Sequence, residues 1–492
     1  MIASVAICLL STLGASGEKN LAIVLPDNPR IHYTGRWDFS NPLEPWSAWQ
    51  GSTITINFNG TGCDMAMDPG SSTEWYRVVL DGEHLNSQKI SVNRGLQQVA
   101  LASGLPAGIH RLDLIKETYV GTNSSFFGFR IHGTGLTFPP ALPPHRIEFY
   151  GDSNLAGYSL ESERNKSGSK LVGVHFGFSG VTARMLDAEY HNISASGETL
   201  GGMINRYDRM QWWSANPKWD FSRFRAEVVV INLGANDVGS SISYIKSRYH
   251  LLLDKLRAVH PTAHVVLANG FGWDYDEPAD YTSAVVAERN DSNMSVLLFP
   301  WVFEKWHGCE SDQAGMSVYL AAHISKVMGW TMNSPDVLNG FGLGGDVANG
   351  SFEGTAPFGG FAWRYFDDAG VSRQLDQSSA KYGNAWLRLT NGASVHQPNP
   401  LRRVGEDVEV RMWVRGQGSG TVTIDFRDQQ MYTAPMYSNT TPVQLGPQWQ
   451  LLTIRVSIPA GLPRMPFHTR LTIRADSSSQ MDVDGIKMKC QA

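Results

Sequence analysis

Charge is scarce in this 492-residue sequence. Only 18% of the residues are charged, and 41 basic against 46 acidic side chains leave a formal net charge of −5. A protein that binds a phosphate backbone usually carries a strongly basic face, so no nucleic-acid partner is expected. The 42% of hydrophobic residues is enough to build packed cores and excludes wholesale disorder. With 49 glycines and 11% aromatic residues, the composition favours a β-rich extracellular protein over a helical cytosolic one.

Cysteines are also few. The four of them stand at positions 8, 63, 309 and 490, and no two form a Cys-x-x-Cys pair. A structural zinc site therefore has no support in the sequence, and no metal ligands are assigned.

Long hydrophobic runs are missing as well. No stretch reaches the length of a transmembrane helix, so no membrane partner is expected. The short apolar run of residues 2–13 is followed by small residues at 15–17, which predicts a cleaved signal peptide over residues 1–17. The protein is therefore expected to be secreted and extracellular.

Asn-x-Ser/Thr sequons are frequent, which is compatible with a secreted glycoprotein. The eight sequons begin at Asn59, Asn123, Asn165, Asn192, Asn290, Asn293, Asn349 and Asn439.

The length suggests roughly three domains at about 150 residues each, and the sequence has three textures. Residues 31–138 read as short alternating strands with frequent turns, typical of an antiparallel sandwich. Four prolines within residues 139–144 form a stiff connector. Residues 146–330 alternate strands with helices, and residues 346–490 return to β-texture. The prediction is a multidomain chain with a β-sandwich, an α/β domain and a second β-sandwich.

Four apolar runs predict the strands of the middle domain. They are Ile147–Tyr150, Val228–Ile231, His264–Leu267 and Val296–Phe299. Between the second and third runs, apolar residues recur at helical spacing, and Met316–Met328 predicts a closing helix. Continuous apolar strands separated by amphipathic helices indicate a parallel sheet covered on both faces.

Polar residues follow the predicted strands where each strand ends. Gly151-Asp152-Ser153 comes directly after the first strand, where a serine that opens a helix presents its hydroxyl to solvent. Gly197 lies in the segment 192–199, which is predicted to be a polar loop before a helix, and Asn236 follows the strand Val228–Ile231. A backbone N–H and a side-chain amide at these places can donate to a developing oxyanion, and one such donor contributes about 3–4 kcal/mol.

This order of Ser, Gly and Asn resembles the SGNH (GDSL-type) hydrolases, which have a three-layer α/β/α fold. The upstream segments resemble the N-terminal jelly roll of carbohydrate esterase family two. The segments are Gly35–Trp37, Gly51–Ile54, Asn59–Gly62, Val79–Gly82, Gly108–Leu112 and Phe126–Phe129. The resemblance covers about residues 31–330 and implies an acetylxylan-esterase-like deacetylase that needs no cofactor. It implies Ser153 as the nucleophile, with Gly197, Asn236 and the Ser153 N–H as the oxyanion hole.

The base is where the sequence departs from that family. The family has a histidine in a Cys-Asp-x-His-Pro segment before the last helix, and the aligned position here is Asp312. A serine nucleophile needs an adjacent base, and loss of such a histidine costs on the order of 10⁶ in turnover. His307 lies in the same loop and can serve if the loop is re-registered. A site without a base is the open alternative. His323, within the closing helix, is expected to be a packing or surface residue, and His264, inside a predicted strand, a satisfied core residue.

Aromatic residues suggest where a sugar binds. Trp273 follows the third strand and is a candidate for stacking on a sugar ring, although simple loop packing explains it equally well.

The region 346–490 resembles galactose-binding-like carbohydrate-binding modules, a family that often carries a structural calcium. Glu353 and Asp484 are the candidate calcium ligands. Tyr382, Trp386 and Tyr432 are candidates for a sugar platform, with core packing as the alternative.

Two functions therefore remain. The first is a secreted serine esterase that removes acetyl groups from an acetylated polysaccharide. The second is a degenerate esterase fold that lacks its base and acts as a carbohydrate-binding protein.

Overall fold

The computed structural model describes most of the chain. The described residues are 20–161, 168–237, 239–269, 281–299, 307–333, 347–353, 363, 369–400, 407–427, 434–462 and 468–491. The predicted signal peptide and Trp273 lie outside them. No helix within these ranges is long and apolar enough to span a membrane.

The first region is an antiparallel sandwich built around one long strand, Thr53–Asp68. That strand pairs with Gly108–Lys116 on one side and Ser124–Leu136 on the other. Its alternate residues Ile54, Ile56 and Phe58 enter the core, as the alternating pattern predicts. The other described strands are Leu21–Val24, His32–Thr34, Trp37–Asp38, Trp46–Ser47, Glu74–Leu80, Gln88–Val92 and Gln97–Ala102.

The middle region contains the parallel sheet that the sequence predicts. The strand order across the sheet is Ala188–Ser194, His145–Gly151, Val228–Asn232, His264–Asn269 and Met294–Leu298. All four pairings are parallel. Phe149 and Val230 pack into one core cluster, whereas Tyr150 and Ile231 pack into another. Both faces of the sheet are therefore buried. The described α-helices are Phe178–Met185, Leu200–Met203, Ile242–Val259, Tyr281–Arg289 and Glu310–Met328.

Two local predictions in this region were wrong. Residues 192–194 end the strand Ala188–Ser194 instead of belonging to a loop. Ser153 does not open a helix, because residues 152–161 form bends and turns, so helix-dipole support does not apply to it. Asn192 is also buried and donates to the Leu155 carbonyl at 3.0 Å, which leaves no room for a glycan at that sequon.

Buried ion pairs join the first sandwich to the parallel-sheet region. The Arg36 guanidinium donates to Glu148 Oε1 at 2.9 Å, and neither side chain is exposed. Arg77 bonds Glu117 of its own sandwich and Glu161 of the parallel-sheet region. These contacts fix the first sandwich against the parallel-sheet region.

The last region consists of two packed antiparallel sheets. Val408–Val414 and Gln450–Val456 pair with each other, as the alternating pattern predicts. One sheet contains, in spatial order, Val371–Leu375, Ala385–Thr390, Gln480–Gln491, Asp407–Gln417 and Gln450–Val456. The other contains Ser394–Pro400, His468–Ala475, Ser419–Arg427 and Tyr437–Gln444.

Candidate active site

Ser153 and His307 form a hydrogen-bonded pair at the carboxyl end of the parallel sheet. Ser153 lies two residues beyond the strand His145–Gly151, and His307 lies three residues before the helix Glu310–Met328. His307 Nε2 is 3.0 Å from Ser153 Oγ. Ser153 is 7% exposed, so its hydroxyl is largely shielded from water. A serine and a histidine at this distance can act as nucleophile and base.

The turn after the strand fixes the serine backbone. The Tyr158 N–H donates to the Ser153 carbonyl at 2.9 Å, and the Ala156 N–H donates to the Asp152 carbonyl at 3.0 Å. The chain folds back on itself over these residues, so the position of the nucleophile depends on backbone hydrogen bonds.

Gly197 and Asn236 lie on loops that follow the two strands flanking the Ser153 strand. The carboxyl ends of these parallel strands share one edge of the sheet, so the three loops are neighbours. Gly197 has a positive φ of 77°, and a Cβ there would meet nothing within 4 Å. Its backbone therefore borders open space.

Asn236 has a fixed orientation. Its Nδ2 donates to the Glu198 carbonyl at 2.9 Å. An amide nitrogen carries two hydrogens, so the same group retains a second donor.

A cluster of carboxyls lies beneath the nucleophile. Burial, reinforced by the neighbouring carboxyls of Asp237 and Glu198, raises the pKa of Asp152 to about 7 against the opposing hydrogen bonds from Asn154. Burial also raises the pKa of Glu198 and of Asp237. Burial and the proximity of these carboxyls to one another therefore favour their neutral, protonated forms.

Asp312, which aligns with the family histidine, has a structural contact in this chain. Its Oδ2 accepts the Cys309 N–H at 3.0 Å and caps the helix Glu310–Met328. His323 and His264 lie elsewhere, each 2.8 Å from the Ser295 hydroxyl. Of these histidines, the structure brings His307 to the serine.

Two tyrosines beside the site were missed by sequence reasoning. The Tyr158 ring lies 4.6 Å from the His307 ring, and the Tyr119 ring lies 5.9 Å from the Tyr158 ring, measured between centroids. Tyr119 belongs to the first sandwich, and no local motif signals that its loop reaches another domain.

The predicted calcium ligands have other partners. Glu353 Oε1 accepts the N–H groups of Asn384 and Ala385, each at 2.8 Å. Asp484 Oδ2 accepts the N–H groups of Lys381 and Tyr382, each at 2.8 Å.

Calcium is held by six to eight oxygen ligands, about 2.3–2.6 Å away, whereas these carboxylates face hydrogen-bond donors. Within the described ranges, no group of three or more His, Cys, Asp and Glu could hold a metal ion. The two carboxylates thus hold the loop 381–385 through its backbone N–H groups, and a structural calcium in this sandwich stays a prediction.

Two family models match consecutive parts of the chain. The carbohydrate esterase 2 N-terminal family matches residues 33–140, and the GDSL-like lipase/acylhydrolase family matches residues 149–297.

Known proteins match the same parts. Cellulase/esterase CelE of Acetivibrio thermocellus is 32% identical over 331 residues, which cover 62% of this chain and 40% of that protein. The acetylxylan esterase/glucomannan deacetylase of Cellvibrio japonicus is 22% identical, with 62% of this chain and 91% of that protein covered.

A solved structure matches the same parts as well. A family two carbohydrate esterase from Clostridium thermocellum in complex with cellohexaose is 32% identical, with a TM-score of 0.57. The match covers 61% of this chain and 99% of that one. The chain therefore belongs to carbohydrate esterase family two.

Proposed function

We propose that the protein is a serine esterase that removes acetyl groups from a polysaccharide outside the cell. The observation that carries the proposal is the 3.0 Å contact between His307 Nε2 and Ser153 Oγ. The named activities of its relatives, a cellulase/esterase and an acetylxylan esterase/glucomannan deacetylase, support the same class of reaction. The degenerate alternative requires a serine without a base, and the His307 contact argues against it.

The first half of the reaction acylates the enzyme. His307 Nε2 takes the proton of Ser153 as Oγ attacks the acetyl carbonyl carbon. The oxyanion that forms accepts hydrogen bonds from the N–H groups of Ser153 and Gly197 and from Asn236 Nδ2. Collapse breaks the ester bond, and the sugar hydroxyl leaves with the proton from His307.

The second half releases acetate. A water molecule gives a proton to His307 and attacks the acetyl group on Ser153 Oγ. The same donors stabilise the second oxyanion. The proton returns to Ser153 as acetate departs, so the enzyme is regenerated with no cofactor.

We also propose that the last sandwich binds carbohydrate through Tyr382. This ring is 45% exposed, and an added Cβ on Gly485 would lie 2.4 Å from its Cδ2 atom. The ring thus rests on bare backbone and presents apolar surface to solvent, as a sugar platform requires. Trp386 is a poorer candidate, because it is only 5% exposed and the Arg415 guanidinium lies 5.1 Å from its ring centroid. Tyr432 lies outside the described residues.

Substitution of the nucleophile and of one oxyanion donor tests the esterase. Ser153→Ala should abolish hydrolysis of nitrophenyl acetate and of acetylated xylan, and Asn236→Ala should lower kcat by about 10²–10³. Asn205→Ala is a matched control, because the Asn205 amide also donates to a backbone carbonyl, that of Gly201, at 3.1 Å. Full activity in Ser153→Ala would remove the assignment. An equal loss in both asparagine variants would show a general effect on the fold.

A further inference from the structure

A loop of the first sandwich reaches the active site through a series of aromatic contacts. The Tyr119 ring meets the Tyr158 ring edge-on, at 5.9 Å and 74°. Tyr158 in turn lies 4.6 Å from the His307 ring, and His307 bonds Ser153. A residue of one domain is therefore two contacts away from the base in another.

Tyr119 is partly buried at this contact. Burial raises the pKa of Tyr119, and the side chain of Ser196 opposes that rise.

The backbone beside each tyrosine has an unfavourable conformation. Val120 has a φ of +46° and Ser159 a φ of +58°. The left-handed region is uncommon for residues other than glycine, and a β-branched residue there is a true outlier. Such conformations persist where the surroundings enforce them, and they cluster at functional sites.

Buried contacts hold the Tyr119 loop at both ends. Before Tyr119, Glu117 Oε2 accepts the His175 N–H of the parallel-sheet region at 3.1 Å. After it, Glu74 Oε1 accepts the Thr122 N–H at 2.8 Å. Glu74 also forms a buried ion pair with Lys116 at 2.8 Å. These contacts enforce the strained loop and direct Tyr119 towards the site.

We infer that Tyr119 is a positioning residue of the esterase site, supplied by the first sandwich. Its ring supports Tyr158, which orients His307. The inference rests on the proposed function, because it requires His307 to act as the base for Ser153.

The test compares substitutions of two tyrosines in the same sandwich. Tyr119→Phe keeps the ring that contacts Tyr158, so kcat on nitrophenyl acetate should stay within about threefold of the wild type. Tyr119→Ala removes the support of Tyr158 and should lower kcat by about 30- to 100-fold, with KM little changed. Tyr33→Phe is the control, because the Tyr33 hydroxyl donates to the Pro26 carbonyl at 2.8 Å, outside the site. Its kcat should stay within about twofold of the wild type.

The pH profile separates positioning from general damage to the fold. Loss of the ring support changes the surroundings of His307, so Tyr119→Ala should move the acid limb of kcat/KM. A variant that only destabilises the fold would scale the whole profile without moving it. Wild-type kcat and an unmoved acid limb in Tyr119→Ala would overturn the inference.

A readout independent of turnover distinguishes the two proposals. A fluorophosphonate probe labels an activated serine, and its rate of reaction with Ser153 reports on the Ser153–His307 pair. A wild-type protein that is not labelled at Ser153 contradicts the proposed function. A wild-type protein that is labelled, with Tyr119→Ala labelled at the same rate, contradicts only the positioning role. Slower labelling of Tyr119→Ala, with wild-type labelling of Tyr33→Phe, supports it.

Discussion

The two β-sandwiches differ in where their arginines find buried partners. In the first sandwich, Arg36 pairs with Glu148 on the strand His145–Gly151 of the parallel sheet. In the last sandwich, Arg388 and Arg415 both bond Asp482 within their own sheet. The first sandwich is thus tied into the esterase domain by buried charge. The two arginines of the last sandwich bond a carboxylate within a single sheet.

The arginines of the two sandwiches differ in burial, and burial decides how much the loss of each ion pair changes the free energy of unfolding. Arg36 and Glu148 are both fully shielded from water, whereas the Arg388 side chain is 30% exposed. Burial by itself would raise the pKa of Glu148. Arg36 and the histidines His191 and His260 outweigh burial and hold this pKa well below its usual range. Removing one partner of the fully buried pair leaves a buried charge without that partner. In the last sandwich water reaches Arg388 and weakens its attraction to Asp482, which also bonds Arg415.

The largest predicted contrast in stability comes from removing one arginine of each kind. Arg36→Met should lower the free energy of unfolding by about 3–5 kcal/mol, because Glu148 remains buried. Arg388→Met should cost about 1 kcal/mol or less, because the Arg388 side chain is partly exposed and Asp482 keeps its bond to Arg415. Urea unfolding of both variants measures the difference. Equal losses of stability in the two variants would contradict the claim that the buried Arg36–Glu148 pair matters more than the Arg388–Asp482 pair.

Asp152, a buried carboxyl with acidic neighbours, makes the stability of the parallel-sheet region depend on pH. The pKa of Asp152 is raised to about 7, chiefly by burial, so the folded state binds its proton more tightly than the unfolded chain does. Asp152 therefore does not lower the free energy of unfolding below about pH 4. Its destabilising effect grows as the pH rises and is complete above about pH 7.

Asp152→Asn should remove that cost and gain stability relative to the wild type as the pH rises from 4 to 8. The gain is bounded by about 4 kcal/mol, from three pKa units at about 1.36 kcal/mol each. Thermal unfolding across this pH range measures it. A difference that is constant with pH would show that Asp152 is already ionised without cost.

The smallest effect should concern binding alone. Tyr382→Ala should weaken retention on insoluble polysaccharide by about tenfold, since loss of a ring contact costs about 1–2 kcal/mol. Hydrolysis of nitrophenyl acetate should not change, because Tyr382 belongs to the last sandwich. Trp386→Phe is a buried control that should bind as the wild type does. A parallel loss of binding and hydrolysis would contradict the separation of the two functions.

The parallel sheet was predictable because most of its strands are continuous apolar runs. The strand Ala188–Ser194 was not, since its polar residues are satisfied by distant partners. Glu189 lies 3.0 Å from His32, and His191 lies 3.4 Å from Glu148. An apolar pattern does not report pairings of this kind.

The sequence predicted which residues of the candidate site follow strands. It did not predict how the residues around Ser153 are brought to it. Ser153, Gly197 and Asn236 follow strands, so their loops meet at one edge of the sheet. The approach of His307 depends on the path of a loop, and that of Tyr119 depends on the packing of two domains. Neither leaves a local pattern in the sequence.

The most direct test of the account is acetyl release by three proteins, the wild type, His307→Ala and Asp312→His. If His307 is the base, the wild type hydrolyses acetyl esters with an acid limb near the usual histidine pKa of about 6.5. His307→Ala should then lose activity by about 10³-fold or more. Asp312→His should not exceed the wild type, because it replaces the helix cap. Wild-type activity in His307→Ala, or activity confined to Asp312→His, would contradict the assignment of His307 as the base.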